Sequence, residues 1–590
     1  MWNTGDVIDP ATGKFKAGVT RKYTPEKWDD YIFRTGEKFE ASVKISGGSE
    51  KLSHYTSFGY LKDEGYYIGS DFERFNARSN MSQDITSWLK SNINMAYSYM
   101  EMNKPGQGDN MNNGFQFVNF MPSLFPVFQR DENGNKIKDN VVGGYMYDYG
   151  MAEGYGRPYA SGVNPAGAIQ LDKNEYQSHS FNGNAMFEAT FLKDFKATVN
   201  MGLQYLSTKN NELTNPYYGD AEGLGRIFKN MSSFFSFTSN QILAWKKSYG
   251  AHNLDAFIAH ESTFYKMSDN YGQKSKIVRP NNTEWSNAVI MDYMDSDSYG
   301  FDMESYFGQV RYDYNDRYFL HGTVRRDGSS RFAKGNRWGF FPSASLGWNI
   351  YREKFMEPAA DFLSNLKLRV SYGLLGNQAD AGLYTFASNM SLNGGLGGYI
   401  FSDGRHIYTN PAPVIDPNTT WEKVESKNIG LDFGFFGNAL TGTVDIFQRD
   451  TKDMLGPGLE FPDMFGAVAP QANNARMRNR GWELSLNYRG KIGNDIDYSV
   501  GGSVSDAVSE VTEYANAKKN DPYGSWYTGR KVGEIWGYRA EGLIQTQEEA
   551  DAYNAEYDLS YISGKLWEPG DVKYIDCLLY TSPSPRDLST

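Results

Sequence analysis

Several stretches of this chain alternate apolar and polar side chains with a period of two, the mark of a strand with one greasy face. The clearest is Phe195, Ala197, Val199, Met201, Leu203 and Tyr205, interleaved with Lys196, Thr198, Asn200, Gly202 and Gln204. Tyr306–Tyr314, Leu366–Leu374 and Trp482–Tyr488 read the same way. A helix would need apolar residues at i, i+3 and i+4, and these stretches do not supply them.

The links between strands carry a second pattern. Short ones fall at Gly47–Glu50, near Trp88, at Lys193–Asp194, Ser248–Ala251, Asn315–Asp316, Gly437–Asn438 and Gly490–Asp495. Tyr351–Asn365 is longer and is expected to hold a helical turn. Between them come polar links rich in Gly, Asn and Pro, at about 62–72, 102–177, 207–231, 263–302, 327–337, 376–423, 451–479 and beyond about 509. Short and long links alternate without a break, as in outer-membrane barrels with tight periplasmic turns and long extracellular loops. The count is about sixteen antiparallel strands. A β-sandwich has loops of similar length at both ends, and a solenoid has a fixed repeat; neither fits.

Composition agrees. Aromatics are 15 % of 590 residues, yet no apolar run approaches the ~18 residues of a membrane helix. Tyr312, Tyr314, Tyr318, Trp338, Trp348, Tyr372, Trp482 and Tyr488 fall near expected strand ends, where amphipathic rings form interfacial girdles. A net charge of -12 with no basic block gives no footprint for nucleic acid. One cysteine, Cys577, excludes a disulfide framework, and six scattered His form no HExxH pattern.

The block Tyr306–Phe355 is more specific: YFGQVRYDYNDRYFLHGTVRRDGSSRFAKGNRWGFFPSASLGWNIYREKF. It resembles the SusC/RagA family of TonB-linked outer-membrane proteins of Bacteroidetes. Further blocks similar to that family follow in order: LKLRVSYGLLGNQ (Leu366–Gln378), WEKVESKNIGLDFGFF (Trp421–Phe436), LTGTVDIFQRDTKDML (Leu440–Leu455), NARMRNRGWELSLNYR (Asn474–Arg489) and VGEIWGYRAEGLIQT (Val532–Thr546). The resemblance implies a barrel of about 22 strands with an internal plug, lidded by a SusD-like surface lipoprotein and driven by the TonB complex through the plug. The cargo it implies is an oligosaccharide or a peptide. Against that frame the chain is expected to be an internal fragment of an all-β transmembrane barrel in the Gram-negative outer membrane. Residues 1–37 are a lead-in after a missing plug domain, 38–576 a partial barrel, and 577–590 a non-native tail. The tail reads CLLYTSPSPRD, which matches a translated sequencing adapter and would make Cys577 artefactual.

No catalytic, cofactor-binding or metal-binding residue is expected, no cofactor, and no single substrate-binding residue is identifiable. Arg325–Arg331 (RRDGSSR) resembles an anion loop, but an Arg–Asp-pinned loop root is favoured. Asp445 with Asp450, and the group Asp292, Asp295, Asp297 and Asp302, are read as solvated rather than as a glycosidase pair. Asp131–Asp139 fails the calcium-loop spacing and reads as a surface hairpin. Tyr271, Trp285, Tyr293 and Tyr299 in one long loop, and Tyr145, Tyr147, Tyr149, Tyr155 and Tyr159 in another, can stack sugar rings, pack the loops or meet the lid protein. The expected function is TonB-dependent import of oligosaccharides or peptides by a non-enzyme. The alternatives are a non-transporting adhesin or structural barrel, and a secreted β-rich glycan-processing enzyme.

Overall fold

The computed structural model describes residues 2–105, 113–150, 157, 159–388, 390, 392–393, 400–401, 404–405, 408–409, 412–456, 458, 461–493, 495–514, 526–535, 539–556 and 566–575. Tyr155 and the tail 577–590 lie outside them.

Among the described residues, sixteen strands form one antiparallel sheet in sequence order. The first eight are β1 (Lys38–Ser49), β2 (Leu52–Glu64), β3 (Asp71–Asp84), β4 (Leu89–Asn103), β5 (Lys173–Phe191), β6 (Phe195–Thr214), β7 (Arg226–Tyr249) and β8 (His252–Ile277). The second eight are β9 (Ala288–Tyr314), β10 (Tyr318–Ser329), β11 (Trp338–Asn349), β12 (Leu363–Asn377), β13 (Glu422–Phe435), β14 (Leu440–Gly456), β15 (Ala472–Ile492) and β16 (Ile496–Tyr514). The expected strand number holds, and short and long links alternate except that the β11–β12 link, residues 350–362, is longer than the β10–β11 link, residues 330–337. Tight turns are set by local chemistry: Leu192 and Lys193, and Asn315 and Asp316, adopt positive φ in pairs, the geometry that continues the twist of two strands. The β11–β12 link contains 3-10 turns at Ile350–Arg352 and Lys354–Ala359, as expected.

The strands run further than the sequence pattern indicated. Much of 207–231 and 263–302 is strand, not loop, because β6, β7, β8 and β9 extend to Thr214, Arg226, Ile277 and Ala288. Apolar alternation stops where a strand leaves a hydrophobic medium, but backbone pairing continues, as in Tyr271 opposite Asp295. β10 pairs with β9 only over Met303–Tyr314, so residues 288–299 of β9 have a strand partner, β8, on one side alone among the described residues.

Register aligns like with like. Leu346, Val370, Ile429, Ile446 and Trp482 stand opposite one another across five strands, and Leu368, Leu431, Val444, Leu484 and Val504 form a parallel row. Ile429, Ile446 and Val504 are more than half exposed. Such a continuous apolar face without a protein cover faces lipid.

The buried core lies elsewhere, beyond the long-link ends of the strands. Trp28, Ile32, Tyr67, Phe117, Met121, Val127, Phe128 and Ala166 form one buried cluster. It joins residues before β1, the β2–β3 link, and the β4–β5 link with helices α1 (Asp29–Ile32), α2 (Gly114–Phe120) and α3 (Pro165–Leu171). A separate outlying unit packs Ile544 against helix α4 (Gln547–Glu556), beside the ribbon β17 (Arg539–Leu543) and β18 (Val572–Ile575).

Candidate functional site

The pleat that sends apolar residues outward sends the intervening ones to the inner face. There Arg369 donates from Nε and Nη2 to the two carboxylate oxygens of Asp432, both at 2.9 Å, and from Nη2 to Asp445 at 3.1 Å. Gly430 lies opposite both Arg369 and Asp445. A Cβ there would sit 2.6 Å from Arg369 Nη2, so glycine is what lets the planar fork lie flat on the wall. Farther round, Arg325 reaches Glu261 at 2.9 Å, Asp327 at 2.6 Å and Ser305 at 3.0 Å.

The third inner feature is a recess of about 520 Å³ on β3–β7, lined by Arg78, Asn80, Asn94, Asn182, Asn184, Asn200 and Gln204. Asn80, Asn94 and Asn184 are directly opposite in register. Asn184 Nδ2 donates to Asn200 Oδ1 at 2.8 Å. Each amide offers both donor and acceptor capacity, so the recess is a hydrogen-bonding surface of amides with one cation, Arg78, which donates to Asn80 at 3.3 Å. Alternation alone does not single this recess out, although a signal is present: Asn recurs at the polar positions of the alternation, at 92 and 94, 182 and 184, and 200.

The structure sorts the residues singled out from sequence. In Arg325–Arg331, Arg325 is ion-paired as above, Arg326 lies over the Trp338 ring at 4.7 Å, and Arg331 donates to the Ala381 carbonyl at 2.7 Å. This is a loop root, as favoured. Asp445 and Asp450 are five residues apart on β14 and so face opposite sides of the sheet; Asp450 is held by Arg478 at 2.5 Å. They do not converge. Asp292 accepts from Ser275 at 2.8 Å, while Asp295 and Asp297 accept from the adjacent backbone N–H groups. Asp131 accepts from the N–H groups of Asn133 and Asn135 and closes its own turn. No group of three or more metal-ligating side chains occurs among the described residues.

The aromatics divide. Tyr149 stacks on Tyr218 at 5.3 Å, Tyr147 packs on Phe128 at 5.2 Å, and Tyr159 donates its hydroxyl to the Phe120 carbonyl at 3.2 Å. They hold the outer assembly together. Tyr271, Tyr293 and Tyr299 lie on β8 and β9 rather than in a loop, and Trp285 packs beside Leu213 and Ile227. Tyr145 and Tyr293 keep more than two fifths of their surface exposed.

Several polar groups inside the outer assembly are matched, although Arg130 Nε and Arg157 Nε are buried without a hydrogen-bond partner. Asn164 caps α3 and donates to the carbonyls of Val127 and Asp148, both at 2.9 Å. Burial pushes the Asp148 carboxyl up, opposed by the Gly150 N–H and by Arg157. Burial also raises the Tyr67 hydroxyl to about 12. At Glu26, burial acts upward, but Lys136 at 2.6 Å and Arg130 at 2.9 Å outweigh it and hold the carboxyl below its ordinary value.

Two rows of side chains mark a membrane slab on the outer face. Tyr249, His252, Tyr314, Tyr318 and Trp348 are directly opposite one another at the short-turn end. Tyr318 and Trp348 both donate to Glu353, at 2.5 and 3.1 Å. Eight residues up each of β7–β10, Gln241, His260, Tyr306 and Arg326 form the upper row. Eight residues at ~3.3 Å, tilted by ~40°, span about 20 Å, near the height of a barrel's apolar band. Trp338, in contrast, belongs to the long-link end and Trp482 to the middle of β15, so not every aromatic expected at an interface marks the same level.

An antiparallel sheet greasy outside and polar inside, with girdled edges and long loops at one end, is the wall of an outer-membrane β-barrel. Residues 124–535 match the TonB dependent receptor-like β-barrel family. The TonB-dependent receptor SusC of Bacteroides thetaiotaomicron is 28 % identical over 511 residues, covering 84 % of this chain and 49 % of that protein. The TonB-dependent receptor P26 of Formosa agariphila is 27 % identical over 600 residues, covering 95 % and 56 %. Among solved structures, the RagAB peptide transporter superposes with a TM-score of 0.71 at 25 % identity, covering 83 % of this chain and 53 % of that one. The chain belongs to the TonB-dependent receptor β-barrels of the outer membrane, in the SusC/RagA family. It spans about half the length of the curated relatives it matches.

Proposed function

We propose that this chain is wall and outer-loop structure of an importer that carries oligosaccharides or peptides across the outer membrane, driven by the TonB complex and working with a SusD-like lipoprotein. The observation that carries the reading is the contrast between the two faces of one sheet. Outside, the register-matched rows are apolar; inside lie the Arg369–Asp432–Asp445 cluster and the amide-lined recess. Amide side chains match both the hydroxyls of a glycan and the backbone of a peptide. The name of the RagAB peptide transporter and the likeness to SusC support the importer class. The outer assembly presents Tyr145 and Tyr159 at its surface, where an aromatic face is available to a cargo or to the lipoprotein.

The test is deletion of the complete gene in its native bacterium, followed by uptake of labelled oligosaccharide and peptide mixtures. Loss of uptake of one class supports import and names the cargo. Unchanged uptake of both, with loss of surface adhesion, favours the adhesin reading and overturns this one.

A further inference from the structure

The outer face of β7–β11 is not uniformly filled. Between the two marker rows lie Ala256, Gly308, Gly322 and Ala344, all on the outward pleat and flanked by Leu243, Ile258, Val324 and Pro342. The small residues leave two adjoining recesses of about 630 and 690 Å³ that share Leu243, Ile258, Gly308 and Val324. No heavy atom lies within 4 Å of a Cβ built on Gly322, so the floor there is open.

The upper recess ends at an unusual group of side chains for a lipid-facing surface. His260 Nδ1 lies 2.7 Å from Gln241 Oε1, and its Nε2 lies 3.4 Å from Glu304. The Tyr306 hydroxyl also donates to Glu304. Glu304 is thus engaged by two neighbours. Arg326, exposed in the same row, has no carboxylate partner among the described residues; its guanidinium lies over Trp338, which itself stacks with Tyr306 at 6.2 Å. An arginine on the lipid face is costly at the bilayer midplane and nearly free near the interface. The unpaired cation therefore marks headgroup level, about 20 Å above the periplasmic girdle, on the extracellular side.

We propose that this recess holds an acyl chain of an outer-leaflet lipid whose anionic phosphate headgroup is bound by Arg326. The apolar trough accepts the chain, and the planar fork suits bidentate contact with phosphate oxygens. Charge complementarity selects the occupant: a purely apolar partner would leave the arginine unanswered, and Glu304 is already engaged by the Tyr306 hydroxyl.

The experiment is native mass spectrometry of the complete protein from its own outer membrane, delipidated in mild detergent and titrated with phosphatidylglycerol or with diacylglycerol, which has the chains and no phosphate. The expected result is one tight phosphatidylglycerol site, absent with diacylglycerol. Arg326→Gln should weaken it by about tenfold, the scale of one lost charge-assisted hydrogen bond. Gly322→Leu, which fills the open floor, should weaken it comparably, with heat-modifiable gel mobility reporting an intact barrel. Equal binding of the two lipids, or wild-type affinity in Arg326→Gln, overturns the proposal whether or not Gly322→Leu folds.

Discussion

Ile429 gives a sharp test of which face meets lipid. It lies midway along β13, opposite Val370 and Ile446, with 56 % of its surface exposed. Because more than half the side chain touches no protein, replacing it with arginine disturbs little internal packing. In water such an exposed change costs within about 0.5 kcal/mol. In the middle of a hydrocarbon slab the same arginine costs about 2–4 kcal/mol, or roughly a 30- to 1000-fold shift in the folding equilibrium. The neighbouring position supplies the control: Asn428 points to the inner face, so Asn428→Arg should be near neutral. The assay is reversible denaturant unfolding of the complete protein in lipid vesicles. If Ile429→Arg falls within about 0.5 kcal/mol of wild type, the outward rows do not face lipid, and the inside-outside assignment fails.

Two further outcomes concern the outer assembly. Phe117 is fully buried against Trp28, with ring centroids 4.7 Å apart; Phe117→Ala should cost that assembly about 3–5 kcal/mol. It should speed protease cleavage between residues 104 and 172 in whole cells while leaving the strands protected; unaltered cleavage would refute the packing. Glu26, whose folded pKa lies below its ordinary value of 4.5, adds stability that is complete above that value and fades as pH falls through the depressed folded value. Accordingly the same cleavage should accelerate below about pH 4.5 in wild type, and Glu26→Gln should flatten the profile; identical profiles would exclude the linkage.

The sheet was readable because its two signals are local. Alternation at residues such as Val199 to Tyr205 reports a face, and paired positive-φ turns such as Asn315–Asp316 report direction. The upper parts of β8 and β9 were not, because Asp269, Asn270 and Asp295 pair in water with polar side chains that carry no apolar alternation, while their backbone ladder is invisible in sequence. The outer core was hidden for a different reason. Trp28 donates its indole N–H to the Phe125 carbonyl at 3.1 Å, across a separation in sequence that no periodicity encodes. On the inner face, Arg369 could be placed by parity, but its two carboxylate partners come from two other strands and only the register names them.

The one-sided stretch of β9 at residues 288–299 has a consequence for solubility. An exposed strand edge is a template for another chain's strand, although here the N–H groups of Ser296 and Ser298 are taken by the side chains of Asp295 and Asp297. This one carries Val289, Ile290, Met291, Tyr293 and Met294, all largely exposed, a composition that favours cross-β stacking. Asp292, Asp295 and Asp297 interrupt it. A second copy aligned on this edge would bring like charges together, so the acidic cluster would oppose fibre growth.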